Sequence, residues 1–240
     1  GGQRMKGRRI LVTGVGKRTG LGYEVVRQAQ AEDAEVWVSA RSAKVAEDMA
    51  TSLGASGALT IDIADLESIA AAARTMASGG LDVLINNAAA MSPWGEVAAR
   101  PDFDAARAVF DTTLWGTWAM CVAFLPLLRR SRVGRLVNVS SGAGSHGDDA
   151  FGLTTGNAMG TSYAISKAAL NALTAKLAHE EQSKVRINAV CPGFTATFEG
   201  GETMGARPVA DGAASILWAA RLPDDGPTGG FFRDGAPLPW

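Results

Sequence analysis

Cysteine is scarce in this 240-residue sequence, which carries only Cys121 and Cys191. The two are far apart and make no Cys-x-x-Cys or Cys/His spacing, so a disulfide framework and a metal site are both excluded. Excess charge is also missing: 23 Lys and Arg stand against 24 Asp and Glu, a net charge of -1. Without a basic field, nucleic acid held by phosphate neutralisation is excluded as a partner. Long apolar runs are absent too. The longest, Trp118 to Leu128, contains Pro126 and is too short to span a bilayer, so no membrane partner is expected. No signal peptide precedes the first apolar run, and the cytoplasm is the default compartment. Gly1-Gly2-Gln3-Arg4 before Met5 are set aside as a cloning remnant, with the boundary drawn at residue 5.

What is present fits a globular chain. Apolar residues make up 47% and charged residues 20%, which excludes disorder throughout. At this length one α/β domain over 1–240 is expected, with no linker inside it. Short apolar runs recur at Arg9–Thr13, Glu35–Ser39, Ala58–Ile61, Asp82–Ile85, Arg135–Val139 and Arg186–Val190, with a weaker seventh at Gly230–Arg233. Near-continuous apolar runs read as parallel strands covered on both faces. Between them, Leu21–Glu32, Asp65–Met76, Phe103–Leu128 and Ser162–Glu181 have helical spacing. The alternation predicts a doubly wound, Rossmann-type parallel sheet of about seven strands with helices on both faces. Ligands in such sheets bind at the carboxyl ends of strands.

The first strand runs into Thr13-Gly14-Val15-Gly16-Lys17-Arg18-Thr19-Gly20-Leu21-Gly22 and then a helix. Glycines let backbone approach a pyrophosphate, and the helix start supplies unpaired N–H groups. A plain strand-to-helix turn is the alternative, and the position after the first strand favours the phosphate loop. After the second strand an NAD site places an acid; here the chain reads Ala40-Arg41. An Arg attracts the 2′-phosphate of NADP, and Lys17 and Arg18 add to the same corner. NADP(H) is therefore the expected cofactor. Asp62 is a candidate either for the adenine amino group or for capping the helix that begins near Asp65.

Tyr163 and Lys167 stand four apart in Ser162-Tyr163-Ala164-Ile165-Ser166-Lys167, on one helix face. A nearby ammonium lowers the pKa of a phenol and makes it a usable proton donor. A snorkelling surface Lys is the alternative. Ser141 ends the fifth strand, where it either meets a ligand or caps a turn.

These residues resemble the short-chain dehydrogenase/reductase family over essentially the whole chain. The matching pieces are the Thr13-to-Gly22 loop, Asp62, Asn86-Asn87-Ala88-Ala89, Ser141, Tyr163 with Lys167, and Pro192-Gly193 followed by Thr197. Ala40-Arg41 is similar to the NADP-preferring members, and the tail from Gly205 to Trp240 to the carbonyl-reductase-like branch. The resemblance implies hydride transfer between nicotinamide and a carbonyl or alcohol carbon, with a small-molecule substrate. Tyr163 would donate the proton, Ser141 would hold the carbonyl oxygen, and Lys167 would tune Tyr163 and bind the ribose. Gly14, Gly16, Gly20, Leu21, Gly22, Asp62, Ile63, Asn87 and Ala88 would line the cofactor. Pro192, Gly193, Thr195 and Thr197 would hold its carboxamide end. A homo-oligomer, dimer or tetramer, is expected, with a monomer left open.

The sequence departs from the family pattern in several places. Five residues separate Gly14 from Gly20, more than in common members, so Gly16 competes with Gly14 for its role. Ala89 replaces the usual Gly, at little cost if φ there is negative. Thr113 stands where the family has a catalytic Asn, and its hydroxyl is expected to hold the relay water instead. The segment from Ser145 to Met159 is an insertion expected to cover the substrate site. Its His146 reads as solvated surface. Met91, Trp94, Phe151, Met159 and Phe194 form a candidate apolar pocket. Two further readings stay open: an alcohol dehydrogenase in the oxidative direction, and a non-catalytic NADP-binding regulator.

Overall fold

The computed structural model describes residues 5–155 and 160–240; Gly1 to Arg4 and the pocket candidate Met159 lie outside them. Seven parallel strands form one sheet: β1 (Arg9–Val12), β2 (Glu35–Ala40), β3 (Gly57–Thr60), β4 (Val83–Asn86), β5 (Arg135–Val139), β6 (Arg186–Val190) and β7 (Phe231–Arg233). A two-residue strand β8 (Ala236–Pro237) adds antiparallel to β7, an eighth strand beyond the expected seven. The order is β3-β2-β1-β4-β5-β6-β7-β8, so the winding reverses between β1 and β4. That reversal opens a crevice at the carboxyl ends of these strands.

The alternating side chains of each strand feed two cores. Ile10, Val12, Val83, Ile85, Val137 and Val139 face α1 (Leu21–Ala31), α2 (Ala43–Leu53) and α7 (Val209–Ala220). Leu11, Leu84 and Leu136 face α3 (Leu66–Ala77) and α5 (Thr117–Arg130). Burial on both faces explains why the strands lack a polar alternation. Ser42 and Asp65 cap α2 and α3 by accepting the Val45 and Glu67 amides. Met5, where the excluded stretch was expected to end, is fully buried in the first core and belongs to the fold.

The helix after β4 follows the expected Phe103–Leu128 stretch closely, with one unannounced π-helical segment inside it. α4 (Phe103–Phe110), a π-helical stretch (Asp111–Gly116) and α5 run on as one 28-residue helix, which by length and composition could cross a bilayer. In this fold Met120, Cys121, Phe124, Leu125, Leu127 and Leu128 are buried against the sheet, so it serves as a core helix. Pro126 does not end it. Pro126 and Val122 both lie on the exposed face, where water can bond the carbonyl that proline leaves unpaired.

Candidate active site

The crevice begins at the glycine loop. The Val15 amide bonds the Ser39 carbonyl at 2.9 Å, laying the loop beside the end of β2, where Arg41 follows. Gly14 has φ +68°, and a Cβ there would lie 2.7 Å from the Ala88 backbone. A Cβ on Gly16 would meet nothing within 4 Å. Gly14 is thus the close-approach glycine and Gly16 faces open space. Gly22 packs on Asn87, whose amide side chain bonds the Thr13 carbonyl at 3.1 Å. No side chain caps the start of α1, so its first-turn N–H groups are open to an anion. Arg18 and Arg41 are exposed, with no ion-pair partner among the described residues. Lys17 reaches the other way and bonds the Thr197 carbonyl at 3.0 Å. A dinucleotide fits this cradle.

Asp62 does not cap α3; Asp65 does. Asp62 instead accepts the Ala64 amide at 3.0 Å, at the carboxyl end of β3. Ile63 is buried, and its carbonyl abuts Gly116, where any Cβ would lie 2.3 Å away. Ala89 is not among the residues with positive φ, so its departure from Gly carries no strain. Pro192 and Gly193 (φ +77°) follow β6, and Thr195 pairs with Arg207.

The chemical side is built on α6 (Thr161–Glu180). Polar bonds rivet this helix to β5. Lys167 Nζ donates to the Val139 carbonyl at 2.7 Å, Ser140 bonds Asn171, and Asn138 donates to Thr174 at 3.0 Å. Positions 167, 171 and 174 therefore form a polar stripe on a buried face, beside an apolar one of Leu170, Leu173 and Leu177. Ser141 follows β5; its hydroxyl accepts the Ala143 amide at 3.1 Å and lies beside the Tyr163 phenol, on which it acts to lower the pKa. The capping reading of Ser141 holds, and the same residue lies beside Tyr163.

The structure runs against the expectation that Lys167 lowers the Tyr163 pKa. Burial pushes the phenol up to about 12, against the hydrogen bond from Ser141. Lys167 Nζ lies 5.5 Å from the Tyr163 ring centroid and is turned to Val139. Its own burial brings it down to about 8.

Thr113 is fully buried inside the π-helical stretch, and its hydroxyl accepts the Ala90 amide at 3.4 Å. π-turns inside helices widen the backbone and occur often at functional sites. No sequence period announces one. The start of α6 holds another arrangement that sequence reasoning missed. Gly160 offers no side-chain cap, and the caps come from the loop after β4 instead. Ser92 accepts the Tyr163 amide at 2.7 Å, and Glu96 accepts both the amide and the hydroxyl of Ser162. Burial works to raise the Glu96 carboxyl, but the Ser162 bonds outweigh it and hold it below its ordinary value. Glu96 thus places an anion at a helix N-terminus.

Residues 8–204 match the family described as short chain dehydrogenase. The chain belongs to that family. The dehydrogenase is 36% identical over 228 residues to the short-chain dehydrogenase anuI of Penicillium roqueforti, covering 88% of this chain and 87% of the relative. It is 32% identical over 197 residues to the 3-oxoacyl-[acyl-carrier-protein] reductase FabG of Vibrio harveyi, covering 80% and 75%. A solved short chain dehydrogenase from Mycobacterium smegmatis superposes with a TM-score of 0.81 at 25% identity, covering 98% of this chain and 95% of that one. Members of the family are oxidoreductases that bind a nicotinamide cofactor and act on carbonyl or hydroxyl groups of small molecules.

Around the site, the dehydrogenase keeps His146 exposed, as expected of surface, while Asp148 two residues on is buried. Trp94 is entirely exposed and Met91 more than half so. Phe194 packs on Phe198 at 6.1 Å, and Phe151 lies under the Arg233 guanidinium at 5.0 Å. Of the pocket candidates only Phe151 and Phe194 are partly buried among the described residues.

Proposed function

We propose that this dehydrogenase is an NADP(H)-dependent ketoreductase acting on a small ketone or aldehyde. The observation that carries the reading is the meeting of Ser141, Tyr163 and Lys167 at the end of β5, across the crevice from an uncapped helix start. Gly14, Gly16, Gly20, Leu21 and Gly22 would hold the pyrophosphate, and Arg18 and Arg41 the 2′-phosphate. Asp62, Ile63, Asn87 and Ala88 would line the adenosine side, and Pro192, Gly193, Thr195 and Thr197 the nicotinamide side. Lys17 spans from the loop to Thr197. Both sites thus lie on one sheet over 1–240.

When bound, NADPH supplies a hydride to the carbonyl carbon. The chain's residues manage the proton. Tyr163 gives its phenolic proton to the carbonyl oxygen, and Ser141 donates a hydrogen bond to the same oxygen as charge develops there. Lys167 would hold the cofactor's ribose and, as an ammonium beside Tyr163, would favour the phenolate. The Thr113 hydroxyl holds a relay water behind it. Exposed Trp115, stacked on Trp118 at 5.9 Å, extends with Leu66 and Val122 into an apolar patch that supports a homo-oligomer. Both cysteines are unpaired and buried, in keeping with the cytoplasm.

A panel of carbonyl substrates followed by NADPH absorbance tests the reading. Tight NADPH binding without turnover on any substrate would favour a regulator. Arg41→Asp is expected to weaken NADPH selectively by roughly 1.5–3 kcal/mol, on the order of 10- to 150-fold, because a charge-assisted phosphate contact becomes a repulsion. Steady-state kinetics with both cofactors decide it; an unaltered NADPH/NADH ratio would remove Arg41 from the site. Thr113→Val, nearly isosteric, is expected to lower kcat about tenfold, some 1.4 kcal/mol, with NADPH affinity kept. Thr113→Asn should keep or raise the rate. Unchanged kcat in Thr113→Val would leave Thr113 as packing alone.

A further inference from the structure

Ser141 sits on a turn that is gripped from two sides. On one side, a Cβ on Gly144 would fall 2.5 Å from the Ala168 amide nitrogen, so the turn lies flat on the backbone of α6. On the other, a Cβ on Gly142 would fall 2.1 Å from Asp148 Oδ2 and 2.6 Å from Arg233 Nη2. Only glycine at 142 lets the residue after Ser141 rest directly on this ion pair.

The pair joins the loop after Ser145 to the last residue of β7. Asp148 is 4% exposed and Arg233 19% exposed at their side chains. Arg233 Nη2 bonds Asp148 Oδ2, while Asp148 Oδ1 accepts the Ala150 and Phe151 amides at 2.9 and 3.3 Å. The Phe151 ring covers the guanidinium. A third member joins them to the site. The Cys191 sulfur accepts the Gly142 amide at 3.3 Å, the Gly193 amide at 3.4 Å and Arg233 Nη2 at 3.4 Å. It therefore bridges the Ser141 turn, the turn after β6 and the cation. Removing one partner from a buried charge pair leaves the other uncompensated, so the arrangement holds only as a unit.

We propose that Arg233, oriented by Asp148 and linked through the Cys191 sulfur to the Gly142 amide, is a positioning residue for Ser141. It acts through the turn and touches neither the substrate nor the cofactor. Its effect on rate rests on the reduction reading above; its effect on the Ser141–Tyr163 contact does not. Through Asp148 the loop after Ser145 braces the Ser141 turn from behind.

The sequence has only two tyrosines, Tyr23 and Tyr163, which makes the contact directly observable. In protein labelled with 13C at tyrosine Cζ, Tyr163→Phe assigns the two resonances. Tyr23, bonded to Ser52 at 2.7 Å, is the internal control. Ser141→Ala marks where the Tyr163 resonance goes when the contact is lost. Arg233→Met is expected to move it in the same direction and leave Tyr23 fixed. Asp148→Asn, nearly isosteric, should do the same in part and serves if Arg233→Met does not fold. Arg233→Lys keeps a cation without the fork and should recover part of the shift. In kinetics, Arg233→Met should lower kcat on the order of tenfold, with the dissociation constant for NADPH within twofold of the parent. A Tyr163 resonance unmoved in Arg233→Met and Asp148→Asn but displaced by Ser141→Ala overturns the proposal, whatever the rates. So does a resonance that Ser141→Ala itself leaves in place. If the parent protein reduces no carbonyl while the resonance moves as stated, positioning stands and the reduction reading falls.

Discussion

Tyr163→Phe is expected to lower kcat by about a thousandfold while NADPH binding stays within a few-fold. The ring still packs beside Lys167, so the cofactor cleft keeps its walls. What disappears is the oxygen that Ser141 bonds and that hands over the proton. Proton transfer by a positioned side chain is worth about 10²–10⁴ in rate, and no second phenol is near. Tyr23 is bonded to Ser52, on α2, the other side of the sheet. Stopped-flow turnover and a fluorescence titration with NADPH separate the two effects. Near-normal turnover in the variant would place the acid elsewhere.

Lys167→Met is expected to lose activity and gain stability at once. Burial brings Lys167 from 10.5 down to about 8. Between those values the unfolded chain holds a proton the folded chain has released, so folding is favoured increasingly as pH rises from about 8 to 10.5. Below about 8 the folded protein carries a buried ammonium at a cost of about 3 kcal/mol. Its bond to the Val139 carbonyl offsets part of the burial. Methionine fills the same channel without charge. At pH 7 the variant's unfolding midpoint should therefore rise by roughly 5 °C, with the gain fading by pH 10. Turnover should drop at least about 100-fold, since phenol and ribose both lose the ammonium. Calorimetry at pH 7 and pH 10 checks the sign. A destabilised variant at pH 7 would show that the Val139 bond outweighs the burial cost.

Strands and the central trio were legible for a shared reason: each is written in contiguous residues. The runs at 9–13, 82–85, 135–139 and 186–190 are apolar on both faces because both faces are covered. α2 does carry a stripe, Ala46 with half-buried Met49, Ala50 and Leu53, but it is only 11 residues long and mostly half-buried. α7 is built largely from Ala, Gly and Ser, whose small side chains mark no period. Within the site, Ser141, Tyr163 and Lys167 do converge. The direction of the Tyr163 shift was misjudged, because helix spacing says which residues share a face but not where a lysine's four methylenes carry its charge. The π-stretch around Thr113 leaves the residue order untouched. The contacts of Cys191, Asp148 and Arg233 join residues 42 and 85 positions apart, where no local pattern records them.

The borrowed cap on α6 has a bearing on how the chain assembles. Ser92 and Glu96 stand 71 and 66 residues before the amides they accept. The body of a 20-residue helix can form early from its own sequence. Its first turn cannot settle until β4 and β5 have paired and brought the upstream loop into reach. Tyr163, the proposed proton donor, sits on that last-finished turn. Any partly folded species with the sheet's second half incomplete would hold a nearly full helix and no competent tyrosine. In amide hydrogen exchange, Ser162 and Tyr163 should open with the loop after β4 as one cooperative unit, separately from the protected amides near Thr174.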